Sequence, residues 1–168
     1  MNRETALGMW NKFRAIHGVT LRAIAKIPPD KLEACPVPGM RSFKELVTHM
    51  YEYAEAMPKA VVKGKLEQSD LPGGKEGIRS VADLEKWCRG CFDRGDANVK
   101  KLTDAQVQAM VPTFFGRPFM GFALIGIVYD EHLHHRGQLY AFLRAVGVEP
   151  PFMWGFDQNE PAFRPAQG

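Results

Sequence analysis

Apolar residues recur at helical spacing in four long stretches of the chain. The first runs from Arg3 to about Lys26, with Ala6, Met9, Trp10, Phe13, Leu21 and Ile24 on one stripe. "IPPDKL" ends it, because consecutive prolines cannot continue a helix. The second begins after Ser42, which with Glu45 three residues on makes a capping box. Its stripe is Phe43, Leu46, Val47, Met50, Ala54, Met57 and Val61. "SDLPGGKEG" follows as a loop of turn formers. Ser80 with Asp83 opens the third helix, to about Lys101, and a short helix spans Thr103 to Met110. In the connector "VPTFFGRPF", Phe114 and Phe115 are expected to be a brief extended piece. The fourth long helix runs from about Met120 to Val146, with Gly147 closing it. A proline-rich C-terminal tail follows, and Phe152, Trp154 and Phe156 are expected to anchor it as a strap on the bundle. Four amphipathic helices in 168 residues predict an all-α four-helix bundle, residues 1–168 forming one domain.

Composition narrows the function classes. Hydrophobic residues are 45% and charged residues 24%, ordinary for a soluble globular chain. A chain this long buries a core without a structural metal, so a metal would be functional. The net charge of +3 is spread along the chain, with no basic patch interleaved with aromatics, so no nucleic-acid partner is expected. The uncharged run Pro118 to Tyr129 falls well short of the ~20 residues of a membrane span. With no signal-peptide pattern at Met1 to Phe13, the expected location is the cytoplasm. Cys35, Cys88 and Cys91 do not pair evenly, which suits a reducing compartment. "CRGC" has redox or zinc spacing, yet Cys88 and Cys91 fall on the apolar stripe of the third helix and read as core thiols.

The chemistry concentrates in "DEHLHHRGQL", residues 130–139. Leu124, Val128, Leu139, Phe142 and Val146 define the apolar stripe of this helix. Glu131 and His135, at i and i+4, stack inside that stripe. His132 lies on one flank, His134 on the other, and Gln138 near the stripe edge; Asp130 and Arg144 point away. A carboxylate in the core must be protonated, paired or bound to a cation. Spacing leaves two readings open: a metal site, or a hydrogen-bonded Glu–His pair. A third ligand can come from His17 or His49. His49 flanks the second stripe and aims at a neighbouring helix, whereas His17 sits centrally on the first and suits a core position or support of a ligand. His49, Glu131 and His135 would make a site of two histidines and one carboxylate, suited to zinc or other first-row divalent ions with open positions. His132 and His134 are then candidate proton carriers. Tyr53 is expected to fill the core, and Arg136 to make a helix-surface or interface hydrogen bond.

Two stretches, "LEACPVPGMRSFKELVTHMYEYAE" (32–55) and "HHRGQLYAFLRAVGVEPPFMWG" (134–155), resemble the DinB/YfiT-like family of metalloenzymes, and the helix order fits over about residues 3 to 156. The resemblance implies an up-down-down-up bundle, often homodimeric, with one metal ligand from the second helix and two from the last. His49 and His135 match the family's histidines. The remaining position, commonly histidine, is Glu131 here, as in the similar mycothiol-dependent maleylpyruvate isomerase branch. Nickel or zinc is the expected ion, with manganese or iron as other choices. The implied activities are thiol-S-transfer or thiol-dependent isomerisation with a low-molecular-weight thiol and a small-molecule substrate. Metal-dependent hydrolysis and a non-catalytic, metal-binding stress-response role are the alternatives.

Overall fold

A computed structural model describes residues 1–154. Its long helices are α1 (Arg3–Ile24), α2 (Phe43–Lys63), α3 (Val81–Val99) and α5 (Gly121–Ala145), with a short α4 (Asp104–Gln108) between the last two. The caps are local chemistry. Ser42 Oγ accepts from the Glu45 N–H, and the Glu45 carboxylate accepts from the Ser42 N–H, so two orphan donors are satisfied at once. Asn2, Ser80 and Thr103 cap α1, α3 and α4 through their side chains. Gly147 takes a φ of 78° just past α5, the left-handed turn that glycine adopts without a Cβ penalty.

Cross-helix partners set the directions. His17 stacks on Phe92 and Trp10 reaches Asp96, so α1 and α3 are antiparallel. Phe43 meets Phe142 and His49 meets His135, so α2 and α5 are antiparallel. Gly126 lies at Met9 and His132 at Thr20, so α1 and α5 run parallel. Tyr51 lies by Cys88 and Glu55 binds Arg94, so α2 and α3 also run parallel. The result is the expected up-down-down-up four-helix bundle, its core running from Trp10 and Phe13 through Tyr51 and Met57 to Leu124 and Leu139.

The α2–α3 contact depends on two residues that resist ordinary packing rules. Pro58 lies inside α2 and has no N–H to offer the carbonyl of Ala54. Gly95 of α3 packs over that carbonyl. A Cβ on residue 95 would stand 2.1 Å from the Ala54 oxygen and 3.0 Å from the Trp10 ring. Parallel neighbours also require a long return, and residues 64–80 supply it with two short 3₁₀ turns.

Two sequence expectations change here. Phe114 and Phe115 are not the extended piece. The strands are β1 (Met110–Val111) and β2 (Phe119–Met120), paired antiparallel, and the two phenylalanines lie in the turn between them. The tail folds back on α5 as far as Arg136, whose guanidinium donates to the Met153 carbonyl at 3.4 Å. Trp154 is no anchor, being 68% exposed, and Phe156 lies outside the described residues. Cys88 and Cys91 are buried free thiols, as their stripe implied, and Cys35 is exposed. No helix among the described residues is long and apolar enough to cross a membrane.

Gly95→Ala tests the close approach. Alanine gains about 1 kcal/mol of helix propensity. The clash with a backbone carbonyl costs more, since neither main chain can yield locally, and urea unfolding is expected to show a net loss of about 2 kcal/mol. Gly18→Ala is the control: its Cβ meets nothing within 4 Å, and the same measurement is expected to show a gain of up to about 1 kcal/mol.

Candidate metal centre

His49 comes from the second turn of α2, and Glu131 and His135 come from successive turns near the middle of α5. Antiparallel packing of these helices brings the three together. One potential donor atom from each lies within 4.8 Å of the other two. The His49 and His135 rings meet edge to face at 4.8 Å, and His135 Nε2 lies 3.1 Å from Glu131 Oε2.

The hydrogen bonds behind the rings decide which nitrogens are available. Gln138 Oε1 lies 2.8 Å from His135 Nδ1, and a carbonyl oxygen can only accept, so Nδ1 carries the proton. Glu52 Oε1 lies 3.1 Å from His49 Nδ1 and makes the same demand there. In each neutral ring Nε2 is then left with a bare lone pair. His135 Nε2 therefore faces a carboxylate oxygen at 3.1 Å, acceptor against acceptor. Such a pair needs a proton or a cation between its members.

Glu52 is itself buried, and Lys75 from the α2–α3 return pairs with its second oxygen. Burial alone would raise the Glu52 pKa. The hydrogen bonds from His49 and Lys75 outweigh it and hold the carboxyl below its ordinary value. The carboxylate–histidine pair is the arrangement that fixes ring orientation in metal sites. Gln138 also reaches the exposed His134, its amide nitrogen 3.1 Å from His134 Nε2. Tyr53 stands edge-on to His49 at 5.2 Å and tilts against Phe115 at 5.9 Å, so it is half-buried beside the site and not within the core.

The helical-wheel placement of α5 needs correction. Glu131 is not a core residue: its side chain is 43% exposed at the solvent edge of the bundle. His132 is not on a flank. It is wholly buried, its Nε2 2.8 Å from Thr20 Oγ1, with Phe13 and Tyr51 edge-on to its ring. The stripe drawn through Leu124, Val128 and Phe142 omitted Ile125 and Leu143, which are buried equally. With them, the inward arc turns toward His132 and leaves Glu131 at its margin. The candidate proton carriers thus separate: His134 stays beside the triad at the surface, while His132 is packed against α1. Burial holds His132 well below its ordinary pKa, and its Nδ1 has no hydrogen-bond partner among the described residues.

His17 takes the core position. It stacks flat on Phe92 at 4.0 Å and meets the Tyr51 hydroxyl at 2.8 Å through Nδ1. Burial, with smaller contributions from Arg89 and Arg14, lowers its pKa to about 4. Glu52 and Lys75 were not singled out from sequence. Glu52 left a faint signal, a carboxylate at i+3 from a candidate ligand. Lys75 left none, because only the fold brings residue 75 to residue 52.

Fold and site together define a helical bundle carrying a His–Glu–His group that could hold a divalent ion at the interface of two facing helices. The sequence model of the DinB family matches residues 1–167, and the chain belongs to that family. It is similar to the uncharacterised protein YjoA of Bacillus subtilis (strain 168), with 24% identity over 143 residues, covering 83% of this chain and 90% of YjoA. The crystal structure of that DinB-like protein superposes with a TM-score of 0.72 at 23% identity, over 88% of this chain and 97% of YjoA, and shows the same fold.

Glu52→Ala and Gln138→Ala are each expected to weaken divalent-metal affinity about 10–100-fold in a competition titration, with the helical circular dichroism unchanged. For His17, the unfolded chain takes up a proton near pH 6.5 that the folded chain refuses until about pH 4. Stability from this group is therefore complete above pH 6.5 and falls as pH drops through that window, by about 3 kcal/mol in all. Urea unfolding of His17→Gln at pH 7 and pH 4 is expected to show a correspondingly smaller acid loss than the parent.

Proposed function

We propose that the protein binds a divalent metal ion through His49, Glu131 and His135 and is a metal-dependent enzyme of the thiol-S-transferase or thiol-dependent type. The observation that carries the metal reading is the acceptor-against-acceptor contact of His135 Nε2 and Glu131 Oε2, with Nδ1 of both histidines already committed to Glu52 and Gln138. Two imidazoles and one carboxylate suit zinc or nickel, with manganese or iron as further candidates. A divalent ion held by three protein groups keeps positions open, lowers the pKa of a bound water or thiol, and polarises a substrate oxygen.

The protein's own groups supply the rest. Glu52 and Gln138 hold the two rings in register. In this reading His134 carries a proton between the site and solvent, which its exposure and its hydrogen bond to Gln138 support. His132 is given no such role, because its ring is enclosed by Thr20, Phe13 and Tyr51. The thiol preference rests on the family resemblance, and hydrolysis is the second reading, since the same open site would serve an activated water. A homodimer and a reducing, cytoplasmic setting complete the proposal. The free Cys35, Cys88 and Cys91 are compatible with that setting.

Metal analysis of the purified protein after incubation with zinc, nickel or manganese is expected to give one ion per chain. Glu131→Ala and His135→Ala are expected to lose it with helical content intact. Absence of stoichiometric metal in the parent protein would overturn the metal reading. Full affinity in Glu131→Ala would instead remove that residue from the ligand set. A conjugation assay of metal-loaded protein with glutathione, bacillithiol and mycothiol against a chloroaromatic then separates the activities. No rate with any thiol, and a rate on an ester, would favour hydrolysis.

A further inference from the structure

His49 and Gln138 form one wall of a cavity of about 770 Å³ between the loop before α2 and the α2–α3 return. That volume is in the range that encloses a small organic molecule. Three cations line it: Arg41, Lys44 and Lys75. Its two carboxylates are already engaged, Glu45 by the Ser42 N–H and Glu52 by Lys75 and His49. Lys44 holds the exposed Glu33 at 2.7 Å. Arg41 makes no hydrogen bond or ion pair among the described residues. An unpaired guanidinium at a cavity rim is a preorganised fork for a carboxylate.

We propose that this cavity is the binding site for a carboxylate-bearing small molecule, anchored at Arg41 and lying along the wall that His49, the one member of the triad to line it, forms with Gln138. The proposal rests on the metal-and-thiol reading above and adds the charge class of the ligand to it. Anionic thiols fit the cavity. Thiols of the same length with masked carboxylates lose the Arg41 contact. Lys44 adds attraction near the same rim, and Lys75 is committed to Glu52.

The test is calorimetric binding to zinc-loaded protein of glutathione and of its diethyl ester, which keeps the thiol and the backbone but masks both carboxylates. Glutathione is expected to bind at least about tenfold more tightly, the value of one charge-assisted hydrogen-bonded contact. Arg41→Ala is expected to remove that preference while retaining one zinc per chain, since Arg41 is exposed and touches none of the proposed ligands. Equal affinities in the parent protein would overturn the anion site and leave the thiol reading standing. A preference that survives Arg41→Ala would also overturn it. Binding of neither compound to protein that holds its zinc would overturn this proposal and leave the thiol reading to mycothiol, which carries no carboxylate.

Discussion

The parallel contact of α2 and α3 is the constraint on which the rest of this molecule turns. Pro58 strips the Ala54 carbonyl of its helical donor, and Gly95 lets α3 settle directly over it. Two parallel neighbours cannot be joined by a tight turn. The chain must travel the length of the bundle between them, and residues 64–80 make that return. On the way, Lys75 is laid beside Glu52, and Glu52 fixes the ring of His49. A helix–helix contact made by other residues thereby supplies the partner of the residue that orients a candidate ligand.

The triad draws on the opposite relation. Because α2 and α5 are antiparallel, the second turn of α2 lies against the middle of α5, and His49 finds Glu131 and His135 without any loop contributing to the group. Sites built on helices are held more precisely than sites on loops, and the hydrogen bonds from Glu52 and Gln138 tighten this one further. The energetic tension is local. A carboxylate oxygen and an imidazole lone pair face each other, a contact that is repulsive until a proton or a cation joins them. Partial exposure of Glu131 keeps that contact tolerable and leaves the group open to solvent.

The histidines show how one helix divides its labour by angle. His132, His134 and His135 are nearly consecutive, yet one fills the core against α1, one faces solvent, and one joins the triad facing α2. Turning about 100° per residue is enough to send neighbours to different surroundings. His17 and His132 serve packing: burial keeps both neutral, and their partners are aromatic rings and the hydroxyls of Tyr51 and Thr20.

Much of this was legible in the chain itself. Helical periodicity marked the four long helices, and Ser42 with Glu45 marked the start of α2, because capping and amphipathicity are local in sequence. The i, i+4 spacing of Glu131 and His135 was visible for the same reason. The family resemblance added the bundle topology and the pairing with His49. What sequence could not determine was everything that depends on which neighbour covers a face. The inward arc of α5 is set by α1 and α2 together, so His132 rather than Glu131 took the core. Phe114 and Phe115 became a turn because the strand pairing forms on either side of them. Lys75 reached Glu52 only because α2 and α3 lie parallel, a relation between residues far apart in the chain that no local pattern encodes.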